Sequence, residues 1–108
     1  MKWIEEIWSN MERNGEPIHS LNELRQFVYL ALCEQNDFEP GAFEFSERIL
    51  IRGGQPCGLF FCLHGPRSVK LTAIWETDQN TIIFYGSTGE RRQKTRLAKG
   101  PRLSAGVA

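Results

Sequence analysis

"CGLFFCLHGPR", residues 57–67, decides how this chain is read. Cys57 to Cys62 is apolar throughout, Leu63-His64 extends it, and Gly65-Pro66 closes it. Glycine takes the positive φ of a tight hairpin turn, and proline suits the position after it. A short apolar run bounded by turn residues is a strand, and it sets the pattern on both sides.

Upstream, Gly53-Gly54 offers another tight turn. Before it, over 42–52, Phe43, Phe45, Ile49 and Ile51 alternate with Glu44, Ser46, Arg48 and Leu50. That period of two predicts a strand, broken only by Glu47, an acid in the apolar register that a local bulge is expected to turn to water. Downstream, strands are expected over 67–77 and 81–86, separated by Asp78-Gln79-Asn80, where Asn suits a left-handed turn position. Residues 90–97 read either as a fifth strand or as a basic arm.

Ahead of residue 41 the period is 3.6. Trp3, Ile4, Ile7, Trp8 and Met11 form one apolar stripe, predicting a helix over 2–14. Ser20-Leu21-Asn22-Glu23 has capping-box spacing, and Leu21, Leu24, Phe27, Val28, Ala31 and Leu32 continue it as a helix over 20–35. The expected architecture is α+β: two N-terminal helices packed on one face of a four-stranded, or five-stranded, antiparallel β-meander. One domain spans 1–98, with a flexible tail over 99–108.

Turns of two residues at 53–54 and 65–66 and of three at 78–80 fix an expected register. It places Phe45, Ile49, Ile51, Gly58, Phe60, Cys62, Val69, Leu71, Ala73, Trp75, Ile83 and Tyr85 beneath the helices. The second face then collects Leu50, Cys57, Leu59, Phe61, Leu63, Ile74, Ile82 and Phe84, more apolar surface than a solvated face carries. Self-association as a homodimer, or binding of a protein partner, is therefore expected through Leu59, Phe61, Leu63, Ile74 and Phe84. No catalytic role is assigned to any residue.

Net charge is zero but segregated. Residues 1–52 carry ten acids against five cations, and residues 90–108 carry six cations against Glu90 alone. The alternative function is accordingly nucleic-acid binding by the basic segment 91–102, through Arg91, Arg92, Lys94 and Arg96 with sheet aromatics. "GSTGERRQKTR" (86–96) also offers a turn rich in N–H and hydroxyl donors, without P-loop spacing. A weaker third expectation is a thiol-dependent enzyme built on Cys62 and His64, two apart on one face. No metal or cofactor is expected: alternation sends Cys57 and Cys62 to opposite faces, and no C-x-x-C pair supplies further ligands.

No apolar run approaches a membrane span, and Glu5-Glu6 interrupts any export signal at the N-terminus. Three cysteines, an odd number, suit free thiols in a reducing compartment, so a cytoplasmic location is expected.

Overall fold

The computed structural model describes residues 18–98 and 100–103. Within them a single α-helix, α1 (Leu21–Gln35), precedes five strands: β1 (Glu44–Arg52), β2 (Gln55–His64), β3 (Lys70–Glu76), β4 (Thr81–Tyr85) and β5 (Arg91–Arg96), with a 3-10 turn at Pro66–Ser68 between β2 and β3. Each strand pairs antiparallel with its neighbours in sequence, giving one sheet in the order β1-β2-β3-β4-β5. The α+β class holds, and residues 90–97 contain a fifth strand. The helix expected over 2–14 lies outside the described residues.

The capping box starts α1. Ser20 is extended, and its Oγ accepts a hydrogen bond from the Glu23 amide at 3.1 Å. The Glu23 carboxylate reaches back to the amide of His19, at 2.9 Å. The helix ends at Asn36, whose amide donates to Cys33 O and whose side chain donates to Leu32 O at 2.9 Å, satisfying last-turn carbonyls. The chain then folds back. The Phe38 amide donates to Cys33 O, the Phe38 ring lies 4.9 Å from Phe43, and the Gly41 amide donates to the Tyr29 hydroxyl.

α1 packs on one sheet face through Leu24, Val28, Ala31 and Leu32. Beneath it lie Leu59, Phe61 and Leu63 of β2, Leu71, Ala73 and Trp75 of β3, and Ile82 and Phe84 of β4, none more than 1 % exposed. Phe61 stacks on Phe45 at 5.6 Å, and Tyr29 meets the edge of Phe45 at 5.2 Å, so three rings tie helix to sheet. Each large side chain removed from water here contributes about 1.5–3 kcal/mol.

Glu47 stays on this helix-side face and no bulge turns it away. Arg25 of α1 reaches down to it in a two-pronged pair, Nε to Oε1 at 2.6 Å and Nη2 to Oε2 at 2.9 Å. The acid in the apolar register is thus held by a partner from the helix. The carboxylate in turn holds the Arg25 guanidinium above its ordinary pKa.

The faces of β2 and β4 are the reverse of those expected. Gly53-Gly54 is a two-residue turn with both glycines at positive φ, as predicted. The bulge comes just beyond it: Leu50 pairs with Gly58 while Ile51 pairs with Pro56, leaving Cys57 as an extra residue that rotates all of β2 by one position. A Cβ on Gly58 would stand 2.1 Å from the Trp75 carbonyl oxygen, so the distorted ladder needs glycine there.

The next connection compensates. Arg67 and Ser68 both take positive φ, and His64 pairs with Lys70 across a loop longer than Gly65-Pro66 alone, which restores β3 to its expected face. The third connection slips again: Asn80 at φ 50 closes a loop in which Glu76 pairs with Thr81, and β4 turns over. Leu59, Phe61, Leu63 and Phe84 therefore belong to the core, and Ile74 alone of the expected association residues lies on the other face.

Candidate functional site

The face away from α1 is laid out by the ladder in rows, since directly paired residues share a face. One row reads Ser46, Cys62, Thr72, Tyr85, Arg91, and the next reads Arg48, Phe60, Ile74, Ile83, Lys94. A third runs Leu50, Gly58, Glu76, Thr81, Arg96, and a short one Glu44, His64, Lys70. The centre is apolar and half-buried, with Phe60, Ile74, Ile83 and Tyr85.

The rim is cationic. Arg48 stands over the Phe60 ring at 5.1 Å from one edge, and Arg91, Lys94 and Arg96 line the opposite edge with Lys70 at the end. Those five cations share the face with two acids, Glu44 and Glu76, a local excess of three positive charges on a chain whose net charge is zero. Arg92 parts company with its neighbours. It falls at the irregularity between the pairs of Phe84 and Tyr85, and its guanidinium donates to Asn36 Oδ1 at the end of α1, at 3.3 Å.

His64 belongs to this face but its partner is Ser46, with Nε2 and Oγ 2.9 Å apart across the β1–β2 ladder. Cys62 is the direct cross-strand partner of Ser46 and is 6 % exposed. Burial pushes its thiol up, against the opposing pull of Lys70 and Arg48. Burial likewise raises Cys33, against a hydrogen bond from Tyr29. A raised thiol carries little thiolate at neutral pH, and thiolate is the reactive form. Alkylation of the native protein is expected to modify half-buried Cys57 first, with Cys33 and Cys62 reacting only as the domain unfolds. Mass mapping after a timed iodoacetamide pulse checks this, and prompt labelling of Cys62 would contradict it.

The turn from Gly86 to Glu90 is occupied by its own chain. The Glu90 carboxylate accepts from the Thr88 amide at 3.2 Å and from the Thr88 hydroxyl, and these bonds hold it below the usual carboxylate range. Two donors of this turn, the Thr88 amide and hydroxyl, are thus already bound to an internal anion. A shallow hollow of about 480 Å³ lies at the opposite end of the β4–β5 ladder, between Asp78, Asn80, Arg96 and Leu97. The Asn80 side chain is spent on structure there, accepting from the Trp75 indole at 3.0 Å and donating to Leu97 O at 3.3 Å.

Among the described residues no three His, Cys, Asp or Glu side chains converge as a metal site. No described helix is long and apolar enough to cross a membrane. The open face was legible in the sequence only as a basic segment plus surplus apolar residues. The Ser46–His64 pair had no signal, because it joins strands across a register that only the fold fixes. The Thr88–Glu90 clamp had one, a hydroxyl and a carboxylate two apart in a glycine-bounded turn. No protein-family model, curated protein or solved structure matches this chain.

Proposed function

We propose that this domain is a non-enzymatic binding module whose open sheet face takes single-stranded nucleic acid. The observation that carries this is the gathering of Arg48, Lys70, Arg91, Lys94 and Arg96 around Phe60 and Tyr85 on one face. Cations at the rim neutralise phosphates and release their counterions, while ring faces accept bases of any sequence. An open sheet face with partly exposed rings suits an unstacked strand better than a duplex, whose bases are already paired and stacked.

The test is fluorescence anisotropy of a labelled single-stranded oligonucleotide. Binding is expected at low salt and to weaken steeply as salt rises, with a log–log slope of roughly −0.7 per phosphate neutralised. Lys94→Glu with Arg96→Glu should weaken it at least tenfold, and Phe60→Ala or Tyr85→Ala should each remove about 1–3 kcal/mol. No binding at low salt ends the proposal.

A protein partner through the same face is the second reading, and the aliphatic character of Leu50, Ile74 and Ile83 favours it. Such a partner would be acidic and apolar to match the face. It predicts that charge reversal at the rim leaves oligonucleotide affinity negligible throughout while an acidic amphipathic peptide binds.

A further inference from the structure

The two edges of the sheet are built differently. β5 presents Arg91, Arg92, Lys94 and Arg96, the charged composition that keeps an edge strand from pairing with another chain. β1 is nine residues long, has β2 as its single neighbour among the described residues, and exposes Ile49 at 38 % and Ile51 at 59 %. A long edge with apolar side chains is a template for strand addition unless something blocks it.

We propose that β1 pairs antiparallel with β1 of a second copy, joining two meanders into one ten-stranded sheet. The sequence of β1 commits to this occupant. With Arg48 opposite its own counterpart about a two-fold axis normal to the sheet, Glu44 of each copy meets Arg52 of the other, and Phe45 of each meets the other's Ile51. Opposite charges thus close both ends of the new ladder, and the most exposed isoleucine gains an aromatic neighbour. The two Arg48 side chains then meet at the centre, each already turned over the Phe60 ring of its own chain. Centring on Glu47 would instead lose both ion pairs by setting Glu44 against Leu50. Glu44 and Arg52 are both exposed and free to meet a partner, Arg52 having only a loose 3.8 Å contact with Asp78. The bulge sits in β2, so β1 itself is regular along its length. Both helices fall on one side of the joined sheet and both cationic faces on the other, forming a single continuous surface. The pairing rests on the edge alone and stands whether or not that surface binds nucleic acid.

Sedimentation equilibrium of the full chain across a concentration series tests it. The expected result is a monomer–dimer equilibrium with mass rising from 12.4 kDa toward twice that value. Ile51→Lys, at an exposed site where the fold is untouched, should raise the dissociation constant at least tenfold. Glu44→Arg should do the same by setting two pairs of arginines together. Combining Glu44→Arg with Arg52→Glu should restore the dimer, which a merely misfolded variant would not do. A wild-type chain that stays monomeric at every concentration overturns the proposal, and so does a dimer indifferent to Ile51→Lys and Glu44→Arg.

Discussion

Phe61→Ala is expected to cost about 3–5 kcal/mol of folding stability, while Phe60→Ala, one residue away, costs roughly 1 kcal/mol. The two rings are chemically identical and differ only in the side of β2 from which they project. Phe61 is fully buried, stacked on Phe45 and roofed by α1, so truncation leaves a cavity where three elements meet. Phe60 is half-buried on the open face, with Arg48 over its ring, and its loss forfeits partial burial and one cation–π contact. A domain of this size has about 5–15 kcal/mol in all, so the first change brings it near the edge of folding. Urea denaturation of both variants measures the difference. Equal losses, or a larger loss at Phe60, would mean that β2 is slipped by one residue, because such a slip exchanges the two faces completely.

Asn80→Ala is expected to cost about 2–4 kcal/mol, a large effect for a residue in a loop. Three losses coincide. The Trp75 indole N–H, on a side chain 1 % exposed, loses its acceptor and is left buried without a partner. The Leu97 carbonyl loses its side-chain donor, although the backbone bond from the Leu97 amide to Asn80 O can persist. Alanine must also hold φ 50, a left-handed conformation that asparagine tolerates and alanine does not favour. Asn80→Gly separates these contributions, since it relieves the backbone while still removing both side-chain bonds. It should recover about 1 kcal/mol relative to alanine. Denaturant midpoints followed by tryptophan fluorescence give the comparison. An alanine variant within about 0.5 kcal/mol of the parent would show that Asn80 does not tie the β3–β4 loop to the chain leaving β5.

These predictions mark where the sequence speaks and where it falls silent. Period-two alternation and breaks at turn residues located β1 to β4, because those signals are local. The capping box located α1 to the residue for the same reason. The faces of β2 and β4 could not be read, since each depends on a single extra residue. Cys57 in the bulge and Thr77 in the longer loop leave no mark in composition or period, yet each inverts every side chain that follows until the next turn. Arg67 and Ser68, neither of them residues that favour positive φ, hid the second of the three shifts.

The basic segment was visible as charge, but its use was not. Alternation along β5 and the register with β4 gather Arg91, Lys94 and Arg96 on the open face, and the irregularity at Arg92 sends that residue to the end of α1. Five cations drawn from three strands converge on a surface that no linear stretch of the chain displays. Glu47 teaches the converse lesson. A lone acid in an apolar register signals a partner from elsewhere in the fold, here Arg25, as readily as it signals a bulge.

The most direct measurement of the proposed function is the amide spectrum of the ¹⁵N-labelled protein titrated with a short single-stranded oligonucleotide at low salt. Shifts are predicted along the two central rows of the open face, at Phe60, Cys62, Thr72, Ile74, Ile83, Tyr85 and Lys94, with the amides of α1 unmoved. Shifts confined to α1 or to the Gly86–Glu90 turn, or a spectrum unchanged at saturating oligonucleotide, would contradict it.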